Sequence, residues 1–228
     1  MSLPTVSTVL PEAIYADLRA DILAQAIAPG ATVTESAIAD RFGVARPTAK
    51  MAIEKLVTEG LLRREKNSAA RVPVLTRRDV IDLLDARAVV EGAAVARLTD
   101  RGTIPADALA AHRAIQSGDH WEQADGGPDL AALDIAFHRA LVTGQDNVRL
   151  QRMHALLMGE IELCIGQVMS ERLRTAAEVA SDHQRMLDAI TGGDAQLAED
   201  LTKSHIAVTR ARLLAQFDAD GRHDERGK

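Results

Sequence analysis

Apolar residues recur at helical spacing along the first third of the chain. Ile14, Leu18, Ile22 and Leu23 stand at i, i+4, i+8 and i+9, which predicts a helix from Glu12 to Ile27. Pro11 suits its opening turn, and Pro29-Gly30 is its expected stop. Thr34 is placed to cap a second, short helix with Ile38, Ala39 and Phe42 on one face and Gly43 at its end. A third runs from Ala45 or Arg46 to Glu59, with Ala49, Ala52, Ile53, Leu56 and Val57 inward and Gly60 as its stop. Leu61–Arg64 and Arg71–Val74, separated by the polar tip Glu65–Ala70, read as a small β-hairpin. The order is helix, helix-turn-helix, hairpin, which is the layout of a winged helix-turn-helix.

Beyond Val74 the pattern holds long helices only. Thr76 opens one that reaches about Thr99. Others are expected at Pro105–Gln116, Asp129–Thr143, Asn147–Ser170, Arg174–Thr191 and Asp194–Phe217, with Gly192-Gly193 as a tight turn between the last two. Residues 117–128 form a polar, glycine-rich break, and residues 1–10 and those after Asp218 read as loose tails. The expected fold is mainly α: a winged helix-turn-helix over 1–75, an all-α antiparallel helical bundle over 76–218, and a tail over 219–228. Aromatic residues make up only 2% of the chain, which suits Ala- and Leu-rich helix packing better than sheets.

The 228 residues carry a net charge of −6, which by itself argues against nucleic acid. The distribution reverses that. Residues 41–71 hold eight bases, Arg41, Arg46, Lys50, Lys55, Arg63, Arg64, Lys66 and Arg71, against three acids, Glu54, Glu59 and Glu65. This excess falls on the third helix and the hairpin, the two parts of a winged helix that meet DNA. A solvated charged face is the plainer alternative. The single cysteine, Cys164, excludes a disulfide framework and a Cys-based zinc site and points to a reducing cytoplasm. Neither a signal peptide nor an apolar run of transmembrane length is seen.

Four residues on the later helices have metal-ligand chemistry. Asp134 and His138 are one helical turn apart and share a face, and His183 and His205 stand on two further helices. One Asp and three His from three helices can surround a divalent cation inside a bundle. Imidazole and carboxylate suit Zn, Ni, Mn or Fe rather than Ca or Mg. Four such ligands saturate a tetrahedral ion and leave two positions open on an octahedral one. The alternative is a surface i,i+4 pair and three unrelated histidines. His112, His120, His154 and His223 are read as structural or exposed.

Residues 14–64, IYADLRADILAQAIAPGATVTESAIADRFGVARPTAKMAIEKLVTEGLLRR, resemble the GntR-type winged-helix domain. LDIAFHRALVTGQDN and SDHQRMLDAITGGDAQLAEDLTKSH resemble the FCD effector domain of the FadR subfamily, closer to its VanR-like branch. The resemblance covers roughly residues 12–215. It implies a ligand-controlled, homodimeric bacterial regulator, with the ion held at Asp134, His138, His183 and His205 and a small carboxylate effector beside it. Arg87 and Glu91 match an R-x-x-x-E of the first effector-domain helix. Arg87 becomes the candidate effector anchor because a guanidinium forks onto a carboxylate, the plainer reading being an i,i+4 ion pair with Glu91. Asn147 matches a family asparagine and is read as a helix cap first and a pocket residue second.

The chain departs from the family at the recognition helix. Ala45 replaces a capping Ser, the Thr-Pro order is inverted at Pro47-Thr48, Lys50 replaces Arg, and the wing tip 67–70 lacks Gly. Lys50 cannot reproduce the bidentate arginine–guanine contact. The expected reading is a metal-dependent, effector-responsive repressor. Arg46, Thr48 and Lys50 would meet the major groove, and Lys66, Ser68 and Arg71 the backbone or minor groove. The operator would be a short palindrome bound by a homodimer, and zinc the first candidate among the metals. A helical-bundle metalloenzyme with an accessory winged helix is the rival, weakened by the lack of an evident general base. A purely structural module leaves the basic cluster unexplained.

Overall fold

The computed structural model describes residues 9–66, 68–117, 130–168 and 174–219. Most of the expected N-terminal tail, Asn67 of the wing tip, the break from 118 onward, His120, His223 and the C-terminal tail from 220 lie outside them. The chain divides into two compact units, Met1–Thr76 with Gly159–Met169, and Arg77–Met158 with Ser170–Lys228.

The first unit contains α1 (Val9–Leu23), β1 (Thr32–Val33), α2 (Glu35–Phe42), α3 (Arg46–Thr58) and β2 (Ala70–Arg71). Its core follows the predicted stripes, with Leu23, Phe42 and Val57 only half-buried. Ile14, Leu18 and Ile22 of α1 and Ala49, Ala52, Ile53 and Leu56 of α3 are buried. Thr34 caps α2 by accepting from the Ala37 amide, and Gly43 ends it at φ +63°, where a Cβ would be strained. Ala45 stands at the N-cap of α3 with no side-chain hydrogen bond, and Pro47 is tolerated in the first turn, where its missing N–H is not needed.

Two expectations need correction here. α1 stops at Leu23, not Ile27, because Gln25 takes a left-handed conformation at φ +56°. The Ile27 amide then returns to Asp21 O, and the Gln25 side-chain amide donates to Gly166 O at 2.6 Å. The predicted hairpin shrinks to a single bridge between Arg63 and Arg71. The partner of β2 is β1, antiparallel, with Thr32 opposite Arg71 and Val33 opposite Ala70. Two residues are too short to show a period of two, so β1 left no signal in the pattern. Leu61 and Leu62 are instead drawn into the core, their amides bonded to Leu56 O at the end of α3.

The second unit has only helices as its regular elements among the described residues: α4 (Arg77–Arg101), α5 (Ala106–Gln116), α6 (Leu130–Thr143), the first half of α7 (Val148–Val168), α8 (Ala176–Gly192) and α9 (Ala195–Ala219). Val95, Leu98, Ala111, Phe137, Leu141, Met186, Leu187 and Ile190 form one apolar cluster from α4, α5, α6 and α8. Of the two glycines between α8 and α9, Gly192 completes the helix and only Gly193 takes positive φ, at +75°. A capping box, Thr175 with Glu178, starts α8. No helix among the described residues is long and apolar enough to cross a membrane.

The last turns of α7 belong to the first unit and pack there at backbone distance. A Cβ on Gly159 would stand 1.9 Å from Glu59 O, and one on Gly166 2.6 Å from Leu23 O. Gly159→Ala should therefore destabilise the protein by about 1–3 kcal/mol, the usual cost of overpacking, read as a lower denaturation midpoint. Ala45→Ser supplies the missing cap of α3 and should stabilise by about 1 kcal/mol, checked by chemical denaturation at constant m-value.

Candidate nucleic-acid interface and metal centre

The basic residues of the first unit fall into two groups. Arg41 pairs with Asp21 at 2.7 Å, Lys55 with Glu12 at 2.5 Å, Arg63 with Glu160 at 3.1 Å, and Arg64 with Glu54. Arg46, Lys50, Lys66 and Arg71 are exposed and make no ion pair with an acid among the described residues. Arg46 stands at the first position of α3 and donates to Ser36 Oγ at 3.2 Å. Thr48 is half-buried in the same turn, and Lys50 is on the outer face one turn on. Lys66 and Ser68 are exposed in the turn before β2, and Arg71 donates to Gly30 O. Internal acids thus neutralise half of the basic cluster. The half left uncompensated consists of four of the six residues that the sequence assigns to DNA.

In the second unit the folding of α6, α8 and α9 brings Asp134, His138, His183 and His205 together. One ligand atom from each lies within 4.8 Å of all the others. His138 Nε2 is 3.1 Å from His205 Nε2, and His183 Nε2 is 3.1 Å from Asp134 Oδ1. His205 Nε2 and His138 Nε2 are 3.4 and 3.7 Å from the same oxygen. Donors bound about 2.0–2.1 Å from a common ion stand roughly 3.3 Å apart in a tetrahedron and about 2.9 Å apart at right angles in an octahedron. The spacing therefore fits a first-row divalent ion. All three imidazoles are buried. Burial is the largest influence on His183 and lowers its pKa to about 3, and it also holds His138 down, so both are neutral, the form that ligates metal. Burial works against a charged Asp134, but His138, His183 and His205 outweigh it and keep the carboxyl ionised.

Around these four stands a ring of polar groups, only part of which the sequence revealed. Arg87 and Glu91 of α4 are both buried, and Arg87 Nε donates to Glu91 Oε1 at 2.7 Å. The same oxygen accepts from His154 Nε2 of α7 at 2.8 Å, while Oε2 lies 2.6 Å from His138 Nδ1. Arg87 Nη2 is buried with no hydrogen-bond partner, 4.0 Å from Asp134 Oδ2. The structure thus brings Arg87 and Glu91 to the cluster but not Asn147, whose Oδ1 accepts from the Arg149 and Leu150 amides at the start of α7.

Sequence reading missed His154, Asp182, Arg174 and Phe137. Asp182 Oδ2 lies 3.3 Å from His205 Nδ1 and accepts from Arg174 at 2.6 Å. Phe137 stacks on His183 with ring centres 3.7 Å apart and 12° between planes. The position of Asp182 beside His183 was a usable signal; His154 had none, because its partner is 63 residues away. His112 is buried and bonds Gln184, as a structural histidine does.

The pattern for bacterial regulatory proteins of the gntR family matches residues 10–72, and that of the FCD domain matches residues 82–208. The chain is 30% identical over 185 residues to the "Probable D-xylose utilization operon transcriptional repressor" of Paenarthrobacter nicotinovorans, covering 78% of this chain and 77% of that protein. It is 25% identical over 187 residues to the gluconate operon transcriptional repressor of Bacillus subtilis, covering 79% and 75%. A solved GntR regulator from Rhodococcus sp. RHA1 superposes with a TM-score of 0.69 at 24% identity, over 90% of this chain and 97% of its own. E. coli McbR/YncC superposes with a TM-score of 0.65 at 18% identity, over 89% and 97%. The family models describe regulatory proteins and the two curated relatives are named as transcriptional repressors, which removes the metalloenzyme alternative. The chain belongs to the GntR family and is a DNA-binding transcriptional regulator whose winged helix is followed in sequence by an FCD domain.

Proposed function

We propose that this regulator is a repressor that binds a short palindromic operator as a homodimer, and that its helical unit holds one divalent transition metal and a small carboxylate effector. The observation that carries the reading is the four-donor cluster, with the unpartnered guanidinium nitrogen of Arg87 beside it. A buried cation with a free donor is costly unless an anion completes it. A bound ion supplies a Lewis-acid contact to an effector oxygen; Asp134, His138, His183 and His205 would hold that ion, and Arg87 would fork onto the effector's carboxylate. Two relatives are named for operons of D-xylose utilization and gluconate, which favours a polyhydroxylated or hydroxy-acid effector. Zinc, Ni, Mn and Fe all suit the donors, with zinc expected as purified.

Exposed apolar side chains on the helical unit, Val89, Met153, Leu156 and Leu197, suit a self-interface. Two heads would then meet two half-sites, with Arg46, Thr48 and Lys50 in the major groove and Lys66, Ser68 and Arg71 at the backbone or minor groove. A chain with this work belongs in the cytoplasm. Effector control is a difference in effector affinity between DNA-competent and incompetent states.

Elemental analysis of protein purified without chelator and reloaded should find one transition metal per chain, and His183→Ala should lose it while keeping low-salt DNA binding. Less than a tenth of an equivalent in the wild type overturns the metal site. Arg87→Ala should weaken a carboxylate effector, found by screening sugar acids and hydroxy acids calorimetrically, about tenfold or more with metal retained. Unchanged effector affinity removes the anchor. On DNA, Arg46→Ala should lose operator preference. Lys66→Ala should weaken all sequences alike and reduce the salt slope by about one. Both are read from binding isotherms at several salt concentrations, and light scattering of the full chain should give a dimer.

A further inference from the structure

Two of the three clustered imidazoles have a carboxylate on the ring nitrogen that faces away from the cluster. His138 Nδ1 lies 2.6 Å from Glu91 Oε2, and His205 Nδ1 lies 3.3 Å from Asp182 Oδ2. Their Nε2 atoms meet at 3.1 Å. The His138 Nδ1–Glu91 Oε2 approach is a close ion-pair contact without hydrogen-bond alignment, and the third ring, His183, has no hydrogen-bond partner at its buried Nδ1 and is fixed by its stack on Phe137. We propose that Glu91 and Asp182 are positioning residues of the metal centre, which hold the Nδ1 protons of His138 and His205 so that both Nε2 lone pairs converge on the ion.

An imidazole that gives its Nε2 lone pair to a cation must carry its proton on Nδ1, and a carboxylate there selects that tautomer and fixes the ring plane. Glu91 is itself fixed, since Arg87 Nε and His154 Nε2 both donate to its other oxygen. Its freedom to follow the ring is therefore small. Asp182 is anchored by Arg174 Nη2 at 2.6 Å. Arg174 Nη1 also lies 2.8 Å from His205 Nδ1. That contact is a hydrogen bond only while Nδ1 lacks a proton. Once Nε2 ligates, Nδ1 donates to Asp182, and Arg174 keeps Asp182 and the Glu178 carbonyl. Two formal negative charges at one remove from the ion also raise the basicity of the ligating imidazoles. Glu91 is thereby given a role different from direct effector contact.

The inference rests on the metal reading above, and the test separates the two. Apo-protein is titrated with Co²⁺, followed by its visible absorption, and with Zn²⁺ against a competing chelator, for the wild type, Glu91→Gln and Asp182→Asn. The wild type is expected to bind one equivalent. Each variant is expected to retain that stoichiometry at about 10- to 100-fold lower affinity, with an altered Co²⁺ spectrum. Far-UV circular dichroism and melting of the apo-proteins check the fold. If Glu91→Gln fails to fold, as the loss of a buried charge opposite Arg87 allows, Asp182→Asn at the rim of the site decides alone. Variants that fold and bind both ions within twofold of the wild type overturn the proposal. A wild type that binds neither ion overturns the metal reading, and the proposal with it.

Discussion

A carboxylate sealed inside a helical bundle must be met by donors on other helices, and Glu91 imposes that condition on the second unit. It is 1% exposed. Arg87 answers from its own helix and His154 from α7 by hydrogen bonds, and His138 Nδ1 of α6 stands 2.6 Å from its other oxygen. Taking such a charge out of water is worthwhile only when every partner is in place; loss of one partner of a buried pair typically costs about 3–5 kcal/mol. Burial alone would push the Glu91 carboxyl up, but Arg87, His138 and His154 together hold it well below the usual range. Three helices are thus fixed around one charge. The His138 ring, one of the four clustered donors, lies against the same carboxylate.

The first unit solves a different electrostatic problem. The chain is acidic as a whole, and its DNA-binding unit has to look basic where it matters. Exposed charges farther apart than about 8 Å are screened at physiological salt, so local pairing counts for more than the sum over the chain. Asp21, Glu12, Glu160 and Glu54 pair with Arg41, Lys55, Arg63 and Arg64 and tie the unit together. Arg46, Lys50, Lys66 and Arg71 stand exposed outside that pairing. Helix α7 contributes to both units: its earlier part carries His154 to Glu91, and its later turns bring Gly159 and Gly166 against the backbone of the first unit. A side chain at either glycine would forbid that approach.

Helices and their order were legible because their signals are local and repeated. The stripe of Ile14, Leu18 and Ile22, the cap at Thr34 and the stops at Gly43 and Gly193 are each set within a turn or two of chain. The ligand residues were legible as candidates for the same reason: Asp134 and His138 share a helical face, and His183 and His205 are placed by the helices that carry them. The family resemblance then named the same four.

What escaped the sequence depends on meetings between residues far apart in the chain. The end of α1 is set by Gln25 reaching Gly166, β2 pairs with a two-residue strand nearly forty positions earlier, and Glu91 meets His154 across 63 residues. The sequence by itself determined the winged-helix order, the helical second unit, the basic patch and the four candidate ligands, because local periodicity, capping and charge density carry that information. Only the tertiary structure decided which of the basic residues stay unpaired and that Glu91 lies behind His138. It also placed Asp182 behind His205. The spacing of polar groups in space is set by packing, and no local pattern encodes it.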